Sequence, residues 1–241
     1  MDRRHFIESC TKSAACLGAA AALPANMAWA ANIQANTQAH EYAKALLCNT
    51  QGEPIKAGSL KANTNYVFHY PFEATPVFLL NLDKAALPIS LNTKNKEAYA
   101  WPGGVGPNRS VVAFSAICAH QLVYPTPQVS FISFRKTKSA KGVQDNLIHC
   151  CAENSQYDPA LGAQVLSGPA PQPLCAVLLQ HDAKADTLTA YATLGGEMFE
   201  EFFKKYETKL SLDMGAKAKN KIVAKATVHE LDKFCRNPVQ C

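Results

Sequence analysis

No apolar run in the 241-residue sequence approaches the roughly 20 residues needed to cross a bilayer core, so no transmembrane span is expected. A polybasic stripe interleaved with aromatics is also missing. The net charge of +5 is spread thinly along the chain, which sets aside a nucleic-acid-binding face. There is no C-x-x-C-H for covalent haem and no G-x-S-x-G for an acyl-transfer serine. The glycine-rich stretch "WPGGVGP", Trp101 to Pro107, lacks the Lys-Ser/Thr ending and the following helical pattern of a phosphate loop, and reads as a turn between strands. No internal repeat is visible, so a repeat architecture is set aside. An apolar fraction of 48% over this length suffices for one good core, hence one compact domain with additions at its ends.

The N-terminus, "MDRRHFIESC", sets Arg3 and Arg4 before His5, Phe6 and Ile7, and an alanine-rich apolar run from Ala14 to Leu23 follows. This resembles a twin-arginine export signal over residues 1–30, too short in its apolar part to span a membrane. "MAWA", Met27 to Ala30, offers small residues at Ala28 and Ala30 for signal cleavage, with Ala31 as the new terminus. The signal implies a periplasmic protein, exported folded and commonly with its metal cofactor already inserted; if uncleaved, it would be a weak tether. The alternative is a cytoplasmic alanine-rich helix with a chance arginine pair.

Of nine cysteines, Cys10 and Cys16 lie in that segment. Cys48, Cys118, Cys150, Cys151, Cys175, Cys235 and Cys241 remain, an odd set, so at least one is unpaired or binds a metal. Cys235 and Cys241 flank "RNPVQ", where a small local disulfide would suit an oxidising compartment.

Along residues 31–60, "TQAHEYAKALLC" (Thr37 to Cys48) has Tyr42, Leu46 and Leu47 at helical spacing and predicts a helical lead-in. Residues 61–195 change texture. "NYVFHY", "TPVFLLNL", "SVVAFSAIC", "VSFISFR", "NLIHC", "PLCAVLLQHD" and "TLTAYAT" are short runs rich in β-branched and aromatic residues between Pro, Gly, Asn and Asp clusters. They predict an all-β core, an antiparallel sandwich or barrel, with "VSFISFR" covered on both faces. Over 196–241, "GGEMFEEFFKKYETKL" aligns Met198, Phe199, Phe202, Phe203, Tyr206 and Leu210 on one stripe. That is an amphipathic helix expected to dock on the sheet. The Lys-rich "AKAKNK" beyond it reads as a solvated hinge or helix face.

The residues with candidate chemistry are Cys118 and His120 in "SAICAHQLVYP", and Cys150, Ser155, Tyr157 and Asp158 in "NLIHCCAENSQYDP", followed by "SGPAPQPL", Ser167 to Leu174. A C-x-H loop, then a second cysteine loop closed by S-x-Y-D, then a proline-rich segment, resembles the Rieske iron-sulfur family over about half the chain. The resemblance implies a Rieske-like sandwich or barrel. It further implies a [2Fe-2S] cluster with Cys118, His120 and Cys150 among its ligands, Ser155 and Tyr157 donating hydrogen bonds to sulfur, and Pro169 and Pro171 in the covering segment. Two thiolates on one iron and two imidazoles on the other give less negative charge than an all-thiolate site, and so a higher potential.

The sequence departs from the family in one important place: Glu153 stands where the second histidine belongs. A carboxylate is a harder, anionic donor that would lower the potential. His149 and Cys151 are substitutes only if the loop distorts, because strand alternation points them away from Cys150. The cysteine pair that ties the two loops in some relatives is replaced by Val123 and Ala152. Three functions follow. The first is a single-electron carrier, or the small subunit of an oxidoreductase, facing a cytochrome-like acceptor or a larger oxidoreductase subunit. The second is a cluster-free Rieske-fold structural or partner-binding subunit. The third is a mononuclear zinc or iron site built on Cys118, His120 and Cys150 with one of His149, Cys151 or Glu153.

Overall fold

The structure is a computed structural model describing residues 38–136 and 146–241; the proposed export signal lies outside the described residues. Among the described residues the strands are β1 (His40–Cys48), β2 (Tyr66–His69), β3 (Pro76–Asn81), β4 (Ile89–Asn92), β5 (Ala98–Trp101), β6 (Val111–Ser115), β7 (Ile132–Arg135), β8 (Leu147–Cys150), β9 (Ser155–Asp158), β10 (Gln164–Ser167), β11 (Ala176–Asp182), β12 (Thr187–Leu194), β13 (Ala224–Thr227) and β14 (His229–Glu230). Short helices α1 (Phe199–Lys205), α2 (Glu207–Met214) and α3 (Leu231–Phe234) lie in the C-terminal part. The all-β core is therefore observed, and all seven strand-like runs hold strands.

Eight strands form one sheet in the order β13-β1-β12-β11-β6-β3-β2-β14. Only Val228 separates β13 from β14, so one continuous stretch pairs with β1 at one margin and with β2 at the other. The sheet is thereby curled into a nearly closed barrel. Strand alternation fills it: Ala45, Leu47, Phe68, Tyr70, Val77, Leu79, Val111, Ala113, Leu188, Ala190, Ala226 and Val228 form one buried cluster. Their neighbours Val67, Phe78, Leu80, Val112 and Phe114 point the other way into a second cluster, as side chains of period two must; Ala192 joins them because a bulge between Ala190 and Ala192 switches the face of β12.

That second cluster is shared with a four-stranded sheet, β10-β9-β8-β7. Residues paired across antiparallel strands project to the same face. Ile132↔Cys150, Cys150↔Ser155 and Ile148↔Tyr157 therefore place Ile132, Ile148, Cys150, Ser155 and Tyr157 on the inward face, and Ser133, Arg135 and His149 on the outer one. Residues Ile132 to Arg135 are buried on both faces as expected, although Phe131 is exposed.

Three expectations are corrected. The helix expected over Thr37–Cys48 is replaced, over His40–Cys48, by strand β1: pairing with β12 and β13 outweighs the helix preference of its alanines and lysine. The long amphipathic helix is split into α1 and α2 at Tyr206, though its stripe does dock, burying Phe199, Phe202, Phe203 and Leu210 against Ala74, Ile117 and Leu122. Cys241 pairs with Cys151 across 90 residues, and Cys235 is free and buried. The turn at "WPGGVGP" joins β5 to β6; a Cβ on Gly104 would meet the Arg109 carbonyl oxygen at 2.2 Å. The Lys-rich stretch after α2 begins in a 3-10 turn, Gly215–Lys219, that buries Ala218.

Candidate metal centre between two loops

The first loop leaves β6 and turns on itself: Cys118 N–H donates to the Val123 carbonyl at 2.9 Å and Leu122 N–H to the Cys118 carbonyl at 2.9 Å. Leu122 takes a φ of 58° to do so. Helix α1 braces this loop from outside. Tyr124 meets the rings of Phe202 and Tyr206 edge-on, each at 4.9 Å, and Lys205 Nζ donates to the Gln121 carbonyl at 2.5 Å.

The second loop is the hairpin between β8 and β9. Asn154 closes it with a φ of 61°, a conformation asparagine tolerates, while its N–H donates to the Cys150 carbonyl at 2.8 Å. The proline segment lies directly against it. A Cβ on Gly168 would come within 2.5 Å of Ser155 Cα and 2.7 Å of the Asn154 carbonyl oxygen, so glycine is required there by contact as well as by its φ of 88°. Buried Gln172 pins the segment further, accepting from Lys94 N–H at 2.9 Å and donating to the Gly196 carbonyl at 3.0 Å.

The loops bring the candidate residues together as two pairs. Cys118 and Cys150 are both free and fully buried, and close enough for each to shift the acidity of the other. Ala119 N–H donates to the Tyr157 hydroxyl oxygen at 3.2 Å, and that hydroxyl lies 3.3 Å from Cys118 Sγ, within hydrogen-bond reach. The hydrogen bond from Cys150, followed by those from Tyr157 and the His120 and Gln121 N–H groups, holds the Cys118 thiol well below its usual range against the opposing effect of burial. The same contact and burial push Cys150 up, so Cys118 is the more acidic member. At the rim, His120 Nδ1 meets Glu153 Oε2; the imidazole is 38% exposed and the carboxylate 15%.

Ser155 Oγ is buried and has no hydrogen-bond partner among the described residues. It sits opposite Cys150 on the same face, an acceptor-seeking hydroxyl beside the sulfurs. Pro169 and Pro171 are exposed on the outside of their segment, whereas Pro173 and Leu174 are buried. His149 is buried on the outer face, and Cys151 is committed to its disulfide, so neither lies on the thiol side. Among the described residues no three His, Cys, Asp or Glu side chains stand as one ligand set for a single ion.

What sequence reading missed lies on that outer face. Buried Arg135 donates through Nη1 to the Cys241 carbonyl at 2.6 Å, and through Nη2 to the Val239 carbonyl at 2.9 Å and to Cys151 Sγ at 2.6 Å. Only the lone buried arginine at the end of an apolar strand could have hinted at it.

Fold and site together define a β-barrel carrying a small hairpin sheet, with a buried thiol pair beneath a histidine–carboxylate pair. No family model matches the chain. Among solved structures it is similar to the soluble domain of the Rieske protein II (soxF) from Sulfolobus acidocaldarius, at 25% sequence identity and a TM-score of 0.47, over 65% of this chain and 82% of that one.

Proposed function

We propose that this protein is a Rieske-type electron carrier, or the electron-transferring subunit of an oxidoreductase, which holds a [2Fe-2S] cluster between its two loops. The observation that carries the reading is the division of four donors from two separate loops into a sulfur pair and a nitrogen–oxygen pair. A cluster with unlike irons needs such a division, and a single ion does not. Cys118 and Cys150 would hold one iron, and His120 and Glu153 the other. The donor set fits because the buried Ser155 hydroxyl, without a partner among the described residues, and the Tyr157 hydroxyl, 3.3 Å from Cys118 Sγ, would each have a hydrogen bond to offer to sulfur.

A bound cluster of this type takes up and gives back one electron. The chain's own residues set the terms of that exchange. The hydroxyls of Ser155 and Tyr157 stabilise negative sulfur and favour the reduced form. Glu153 adds a negative charge where an imidazole would add none, and favours the oxidised form. Apolar residues around the thiols keep water away, while the exposed edge of His120 is what a redox partner protein would meet. Export by the twin-arginine route to the periplasm, with the mature chain starting at Ala31, belongs to the same proposal; N-terminal sequencing of protein from an exporting host tests it.

A second reading, a cluster-free subunit, is favoured by one feature: a carboxylate, Glu153, stands at the expected histidine position and pairs with His120. Chemical analysis of protein purified without air separates the two. The carrier holds about two irons and two acid-labile sulfides per chain, and Cys118→Ser removes both together with the visible absorption. Colourless protein with neither iron nor sulfide overturns the electron-transfer reading.

A further inference from the structure

The segment from Arg236 to Cys241 lies along the lead-in to β7. Arg236 N–H donates to the Pro127 carbonyl at 3.0 Å, Ser130 N–H to the Asn237 carbonyl at 3.2 Å, and Val239 N–H to the Ser130 carbonyl at 2.8 Å. Cys151, the residue after Cys150, is held by its own N–H to the Phe131 carbonyl at 2.6 Å and by the disulfide to Cys241. The strap and the second loop thus grip the same short stretch from opposite sides, with the S–S bond joining them.

Beneath this junction sits Arg135, 5% exposed. All its bonded acceptors belong to the junction, being the carbonyls of Val239 and Cys241 and the sulfur of Cys151. Its Nε has no partner among the described residues. A buried cation with no other acceptors is costly, so strap, disulfide and second loop stay closed together or open together. The Cys150 backbone, which anchors the Asn154 turn, is one peptide bond away.

We propose that the Cys151–Cys241 disulfide, seated on the Arg135 guanidinium, is a redox-sensitive latch that ties the strap to the outer face of the hairpin sheet and, by fixing the turn from Cys150 to Asn154, keeps the Cys118–Cys150 pair on the inner face closed to solvent. Opening breaks the S–S bond and consumes two electrons and two protons. A dithiol supplies them and is itself oxidised to a cyclic disulfide, leaving two thiols on the protein. The latch supports the same site and rests on the electron-transfer reading only for what the loops hold. Its closing action on the thiols is independent of that reading.

The test is residue-resolved maleimide labelling of the full-length chain, read by mass spectrometry after any iron has been removed by chelation. Three forms are compared: oxidised protein, protein reduced with dithiothreitol, and Cys151→Ser/Cys241→Ser. Cys118 and Cys150 are expected to label at least tenfold faster in the second and third forms, with Cys48 and Cys175, buried elsewhere, unchanged. Arg135→Gln with the disulfide intact gives an intermediate acceleration at the same two thiols. Unchanged rates at Cys118 and Cys150, or an equal rise at Cys48 and Cys175, overturn the latch. If the double variant does not fold, the reduced native chain decides alone. Iron and sulfide counted on the untreated protein report the electron-transfer reading separately.

Discussion

His69, the last residue of β2, is partly buried where the barrel closes. Its ring lies 5.7 Å from that of Phe234, which is also 6.1 Å from the ring of His229. Burial, helped by the positive charge His229 can carry, pushes the His69 imidazole down from 6.5 to about 4. The folded protein therefore refuses a proton that the unfolded chain accepts. Stability is unaffected by this group above pH 6.5, falls as pH drops through the interval down to about 4, and loses nothing more from it below. A difference of this size corresponds to roughly 3 kcal/mol over the whole interval, of which between about 2 and 3 kcal/mol is lost by pH 4.5. Urea denaturation of the native chain and of His69→Gln, at steps from pH 7.5 to 4.5, measures it directly. The native midpoint should fall with acid much more steeply than that of the variant, because glutamine does not titrate. Parallel curves would refute the reasoning, as would a His69 ring resonance titrating near 6.5.

Two further outcomes bear on the site. Gly168→Ala forces a Cβ into the backbone of Asn154 and Ser155 at a left-handed φ, which costs about 1–3 kcal/mol; iron content of purified protein should fall while the far-ultraviolet β signature persists. Glu153→His exchanges an anionic donor for a neutral one, so the reduction potential measured by dye-coupled titration should rise; an unshifted potential in an iron-loaded variant would remove Glu153 from the ligand set.

The core of the barrel was legible because β2, β3, β6, β11 and β12 are apolar β-branched runs bounded by turn residues, and nothing competes with that pattern. β9 and β10, "SQYD" and "QVLS", have too little apolar content to be found by periodicity. The spacing of Ser155, Tyr157 and Asp158 after Cys150 marked a loop with candidate chemistry, not a strand. β1 was misread because Tyr42, Leu46 and Leu47 satisfy a helical spacing by coincidence, whereas the buried positions Ala45 and Leu47 alternate as a strand lining the barrel. The partner of Cys241 could not be read at all: a disulfide spanning 90 residues leaves no local trace, and the nearer Cys235 offered a false one. The facing of His120 and Glu153 likewise depends on how two loops meet, which single-chain patterns do not encode.

The stretch Ala224–Glu230, hydrogen-bonded to both margins of the large sheet, has a consequence for biosynthesis. β1 is among the first strands to leave the ribosome, yet its neighbours β12 and β13 are among the last, so for most of translation its polar backbone waits unpaired and open to pairing with another chain. A nascent chain stalled before Ala224 would present two raw margins at once, and such truncated products should partition into aggregates or chaperone complexes rather than accumulate as shortened native protein.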